Sequence, residues 1–176
     1  MSAPLGGGEP TLLADEQTFP GSIAVDRTHL YWLTNDAVVK ARLGGGSPTT
    51  IAPLQYLASG LAVDDSSVYW TRSSDGIGCP TGAVLSVPLE GGTPRSLATG
   101  QEFPLGVAVE GERVYWTNAV EPGSVVSVPR SGGAPVTLAC GQAIPSAIAV
   151  DDAGLYWTNQ GTTTSAARGS VVGLTP

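Results

Sequence analysis

One four-residue phrase recurs four times: Ile23-Ala24-Val25-Asp26, Leu61-Ala62-Val63-Asp64, Val107-Ala108-Val109-Glu110 and Ile148-Ala149-Val150-Asp151. Five residues after each acid comes a Tyr-Trp pair, at Tyr31-Trp32, Tyr69-Trp70, Tyr115-Trp116 and Tyr156-Trp157. A Gly-Gly-x-Pro turn recurs beside them, starting at Gly7, Gly45, Gly91 and Gly132. Both series advance by 38, 46 and 41 residues. A period near forty marks a repeat architecture, in which each unit buries its apolar surface against its neighbours. Residues that repeat this faithfully build the scaffold, so function is to be sought where the copies differ.

Within a copy the apolar residues alternate with period two, as half-buried strands require. The third copy reads as strand a at Val107-Ala108-Val109, b at Val114-Tyr115-Trp116-Thr117, c at Val125-Val126-Ser127-Val128 and d at Val136-Thr137-Leu138-Ala139. With 14 Pro and 24 Gly, no segment sustains a helical stripe. Four short antiparallel strands in about forty residues predict an all-β fold built of β-propeller blades, four per chain. The bulky Tyr and Trp of strand b supply contact between blades. Ala24, Ala62, Ala108 and Ala149 lie on strand a, where blades converge and room is scarce.

The domain is read as a single unit over 1–176, with repeats at 23–60, 61–106, 107–147 and 148–176, the last completed by 4–15. The fourth copy stops at its strand c. Its missing glycine turn and strand d correspond in register to Gly7-Gly8-Glu9-Pro10 and Thr11-Leu12-Leu13-Ala14. The N-terminal strand is therefore expected to complete the last blade. This can happen within one four-bladed chain, or between two chains sharing an eight-bladed ring; the third alternative is that the chain is a piece of a longer propeller.

These residues resemble the YWTD propeller repeat of low-density-lipoprotein-receptor-type ectodomains, and NHL and related bacterial propeller repeats. Two copies end the motif in Asn118 and Asn159, the second has Arg72, and the first inserts Leu33 before Thr34. The resemblance implies a binding scaffold without catalysis. Related bacterial propellers include lyases and lactonases, which implies an enzyme as the alternative. A purely structural, self-assembling module is the third reading.

Eight basic residues against 15 acidic, with Lys40 the sole lysine, argue against a nucleic-acid partner. No apolar run is long enough to span a membrane. The expected partner is a protein, peptide or glycan, or another copy of the chain. A Lys-poor surface rich in Ser, Thr and Gly suggests an extracytoplasmic or secreted setting, although residues 1–4 lack a signal peptide's features. Cys79 and Cys140 are read as loop residues on one face, able to form a disulfide in an oxidising compartment.

Copy length varies only between strands b and c. From Trp to the strand c valine the spacing is 6, 14, 9 and 14 residues. Variable loops on a rigid frame commonly carry binding, or are simply tolerated insertions. The candidate contact face therefore combines the b–c loops with the d–a loops. Its candidate residues are Arg72, Asp75, Gln160 and Arg168 from the long b–c loops, with Gln17, Gln55, Gln101 and Gln142 from the d–a loops. Phe19 and Phe103 stand two residues beyond their glutamines. The amides can bind a sugar or peptide, or satisfy loop backbone and leave the apolar residues to plug the blade tops. On the opposite face, Asp26, Asp64, Glu110 and Asp151 can hold Ca²⁺ or cap tight a–b turns; capping is preferred, and no cofactor is expected. A single histidine, His29, leaves neither a Ser-His-Asp triad nor a Cys-His pair any signature.

Overall fold

The computed structural model describes residues 2, 5–53, 55–73, 82–161 and 168–175. Among these, regular structure is entirely β. The first blade comprises β1 (Ile23–Val25), β2 (His29–Leu33), β3 (Ala37–Arg42) and β4 (Thr49–Pro53). The second comprises β5 (Ala58–Val63), β6 (Ser67–Arg72), β7 (Gly82–Pro88) and β8 (Arg95–Gln101). The third comprises β9 (Pro104–Glu110), β10 (Arg113–Asn118), β11 (Gly123–Pro129) and β12 (Val136–Gln142). The fourth comprises β13 (Pro145–Asp151), β14 (Gly154–Asn159) and β15 (Ser170–Leu174). Each is an antiparallel meander in chain order, the arrangement of a four-bladed propeller chain.

Turn chemistry follows from the glycines. The first glycine of each Gly-Gly pair has φ between 85 and 88°, and the second between 134 and 138°. An L side chain resists both conformations, so the pair is a backbone requirement repeated four times.

Blades pack face to face through three mixed cores. Tyr31, Leu33, Val38 and Ile51 of the first blade meet Leu61, Val68, Trp70 and Leu85 of the second. Tyr69, Val84 and Leu97 then meet Val107, Val114 and Trp116. Val125, with Tyr115 and Leu138 beside it, meets Leu155 and Trp157. One face of strand b thus supplies Tyr to the following blade and the other supplies Trp to the preceding one, the consequence of period-two alternation.

The innermost strands of neighbouring blades approach backbone to backbone. A Cβ on Gly60 would press into the carbonyl oxygen of Leu105, and one on Gly106 into that of Ser146. Thr71 and Thr117 close these junctions. The Thr71 hydroxyl donates to the Leu105 carbonyl at 2.6 Å and accepts the Gly60 N–H at 2.8 Å. The Thr117 hydroxyl donates to the Ser146 carbonyl at 2.7 Å and accepts the Gly106 N–H at 3.0 Å.

The structure corrects two expectations. Leu33 is no insertion: it pairs with Val38 as Thr71 pairs with Val84, so it replaces the threonine. It is buried in the first junction, an apolar contact where the later junctions use a hydroxyl. Cys140 is no loop residue: it lies on β12 opposite Ser124 and is exposed. Strand d runs on past its apolar residues because backbone pairing continues to Gly123–Gln142. Cys79 lies outside the described residues.

The last sheet has three strands, β13-β14-β15. Among the described residues, residues 11–14 form no ladder with β15; their pairing is a bridge from Thr11 to Ser2. The expected completion of the last blade by the N-terminal strand is thus not realised within the one chain. No helix is long and apolar enough to cross a membrane among the described residues.

Candidate functional site

The d–a connections are built on one repeated contact; Gln17 and Gln55 lie in loops, whereas Gln101 and Gln142, expected in loops, end β8 and β12 because their backbone stays paired. Each glutamine lies fifteen residues before its blade's tryptophan, and its Oε1 accepts that indole N–H. The distances are 3.0 Å for Trp32–Gln17, 3.2 Å for Trp70–Gln55, 3.0 Å for Trp116–Gln101 and 2.9 Å for Trp157–Gln142. Each Nε2 donates to the carbonyl two residues back, that of Asp15, Pro53, Thr99 or Cys140. The amides therefore satisfy a donor that would otherwise be buried in the blade. Asn118 and Asn159 extend the network by donating to Gln101 and Gln142. The constant Gln-to-Trp spacing was the sequence signal for this pairing.

Two residues after each glutamine the chain turns through the left-handed region. Phe19, Leu57, Phe103 and Ile144 have φ of 47, 60, 50 and 56°. For side chains of this size, and most of all for β-branched Ile144, that conformation is an outlier. Pro20, Pro104 and Pro145 follow three of them, but a following proline favours extended backbone and Leu57 takes the same conformation without one, so proline does not cause it. The carbonyls of Leu57, Phe103 and Ile144 accept the N–H groups of Ser73, Ala119 and Gln160 just beyond strand b, at 2.9–3.0 Å. In the first blade Thr18 does this for Asn35.

The apolar side chains do not plug the blade tops. Phe19 is 82 % exposed, Phe103 49 %, Leu57 is exposed and Ile144 half-buried. Four large apolar groups thus stand at equivalent positions on one face. Sequence reasoning picked Phe19 and Phe103 by residue type; nothing in the sequence announced the shared left-handed backbone, because no glycine marks it.

Arg72 ends β6 and is half-buried, while Gln160 and Arg168 are exposed at the two ends of the last b–c loop. Asp75, with most of both long loops, lies outside the described residues.

On the opposite face the strand a acids serve the turns. Asp26 Oδ1 accepts the backbone N–H groups of Thr28 and His29, and Oδ2 accepts the Tyr31 hydroxyl at 2.8 Å. Asp64 does the same for Ser66, Ser67 and Tyr69. Asp151 Oδ1 caps Ala153 and Gly154. Glu110 pairs with Arg113 across the hairpin backbone. Arg130 bridges two blades, reaching Asp64 at 2.5 Å and Glu112 at 2.9 Å. Burial pushes the Asp26 carboxyl up, but its turn N–H groups and Tyr31 outweigh it and hold the pKa at about 2. Asp64 likewise falls to about 2, burial being outweighed by Arg130, the turn N–H groups and Tyr69. Burial, then the Asp26 and Asp64 partners, push Tyr31 and Tyr69 up. Among the described residues, no three His, Cys, Asp or Glu side chains gather to hold a metal ion.

No protein-family model and no curated protein matches this chain in sequence. Solved structures match its fold. A computationally designed protein, Ika4, aligns with TM-score 0.71 at 15 % identity over 96 % of this chain and 99 % of that one. Virginiamycin B lyase from Staphylococcus aureus aligns with TM-score 0.65 at 15 % identity, over 88 % of this chain and 54 % of that one. A gluconolactonase from Xanthomonas campestris aligns with TM-score 0.63 at 16 % identity, over 80 % of this chain and 54 % of that one. The chain thus spans about half the length of the two natural enzymes. At these identities the likeness establishes the β-propeller fold, which hosts unrelated functions.

Proposed function

We propose that this chain is a non-catalytic β-propeller interaction module whose contact surface is the face of d–a and b–c loops. The observation that carries the reading is the set of apolar residues in left-handed backbone at Phe19, Leu57, Phe103 and Ile144, the first three exposed and the last half-buried. Such conformations cost about 1–2 kcal/mol per L-residue, and Phe19 recovers little of that by burial. Strain held at equivalent positions and pointed at solvent fits a surface that becomes buried on binding. Aromatic and aliphatic groups spaced over a rigid face suit the apolar side chains of a protein or peptide. A glycan stacking on Phe19 and Phe103 is the related alternative. The Gln–Trp contacts hold the loops that bear these groups, and the unequal b–c loops would supply specificity.

Screening the folded protein on peptide and glycan arrays tests this. Hits should be lost in a Phe19→Asn, Phe103→Asn double variant of unchanged stability. Absence of hits from the folded wild type would count against the module.

The alternative enzyme reading draws on the fold shared with the lyase and the lactonase, and on the strand a acids. It requires a metal at Asp26, Asp64, Glu110 and Asp151, where three of the four already serve as turn caps. Calcium or manganese raising the melting temperature of the wild type, but not of Asp64→Asn, would favour it.

A further inference from the structure

We propose that two copies of this chain close one eight-bladed ring, each laying its residues 11–14 onto β15 of the other.

The chain makes three interblade cores and leaves both halves of a fourth partly open. At the C-terminal end, Val171 is 80 % exposed, whereas its equivalents Val38, Val84 and Val125 are fully buried. Tyr156 is exposed where Tyr31 and Tyr69 are buried. At the other end, Ile23 is 62 % exposed, whereas Leu61 and Val107 at the same position are 8 % exposed. A groove of about 310 Å³ opens beside Ile23, lined by Ala14, Gly21, Leu30 and Trp32.

The missing strand sits at the wrong end of the molecule to help its own last blade. Ala14 packs with Trp32 and Val39 of the first blade. In the first junction, Ala52 of β4 packs in the same way with Trp70 and Leu85 of the following blade. Residues 11–14 therefore already occupy the place of a strand d belonging to a blade that precedes the first. Among the described residues no blade precedes the first, and the blade lacking a strand d is the fourth.

The occupant is a second copy because the two open ends are the two sides of a junction this sequence builds three times over. Joined end to end, such an interface either closes a ring or runs on as a fibre. Propellers close with about four to eight blades. Four-bladed units that do not close alone meet that range with two copies. The exchange also removes the unpaired edge of β15, which otherwise invites aggregation.

Register specifies the test. Val38 opposes Ala52, Val84 opposes Ala98 and Val125 opposes Ala139. Val171 should therefore oppose Ala14 of the second copy. Directly opposed antiparallel Cα atoms lie about 4.5–5.5 Å apart, within disulfide range. The experiment oxidises the Ala14→Cys, Val171→Cys variant in a Cys79→Ser, Cys140→Ser background and runs it without reductant. A species of twice 17.8 kDa, reverting on reduction and absent from either single variant, is expected. Thiols lost at single-chain mass would mean closure within one chain and overturn the proposal. So would thiols that stay free, or a ladder of larger species. Light scattering of the wild type is independent of these substitutions: twice the chain mass is expected, and a single-chain mass overturns the ring.

Discussion

Phe19→Gly should leave stability close to that of the wild type, unlike an ordinary phenylalanine truncation. At φ 47°, Phe19 carries the left-handed penalty of about 1–2 kcal/mol that glycine avoids. Against this, glycine's extra freedom in the unfolded chain costs about 0.5–1 kcal/mol. The side chain is 82 % exposed, so about a fifth of a phenylalanine's burial energy is lost, roughly 0.3–0.6 kcal/mol. The balance runs from about 0.6 kcal/mol of destabilisation to about 1.2 kcal/mol of stabilisation, centred slightly on the stabilising side. Phe103→Gly relieves the same strain, but at 49 % exposure it forfeits about half the burial energy, roughly 0.8–1.5 kcal/mol. It should therefore fall below Phe19→Gly, near neutral or slightly destabilising. Urea denaturation at one fixed protein concentration reads both changes from the midpoint at constant slope. Packed phenylalanines lose about 3–5 kcal/mol on truncation. A loss of that size at Phe19, or the reverse order of the two variants, would refute the assignment of these residues as strained surface groups.

Gln55→Leu removes the acceptor of the fully buried Trp70 indole, and an unsatisfied buried donor costs about 1–3 kcal/mol. A lower urea midpoint by that amount is expected, whereas an unchanged midpoint would mean that the Gln–Trp contact is dispensable. Stability should also fall in acid. Asp26 and Asp64 have folded pKa values of about 2, below the ordinary 3.8, so the unfolded chain binds more protons in that interval. Their contribution is complete above about pH 4 and is lost as pH drops towards 2. Thermal melts between pH 6 and 2.5 should show this, with a shallower acid limb in Asp64→Asn, and equal limbs would contradict the turn-cap reading.

The blades were legible because their causes are local. Alternation of Val107, Val109, Val114 and Trp116 sets which face each side chain takes, and the Gly-Gly pairs demand turns. Strand ends were less legible. Cys140 and Gln142 belong to β12 because Ser124 and Gly123 pair with them, and partners on another strand leave no mark on their own segment. Leu33 looked inserted because a Leu-Thr sequence offers two alignments, and the ladder to Val38 chose one. The Gln–Trp contacts left a trace in their fixed spacing, but spacing does not say which groups touch.

The sequence by itself determined the repeat, the four-stranded blade, the face that carries the variable loops and the equivalence of residues 11–14 to the strand d of the other copies. Each follows from periodicity and turn stereochemistry, which act over a few residues. Only the tertiary structure decided that Phe19 and its counterparts face solvent in left-handed backbone, since this depends on carbonyls captured by loops of the same blade. Only it decided that residues 11–14 lie against the first blade while β15 stays open. That outcome depends on whether four blades bring the chain's ends together, a property of the angles between packed sheets rather than of any one segment.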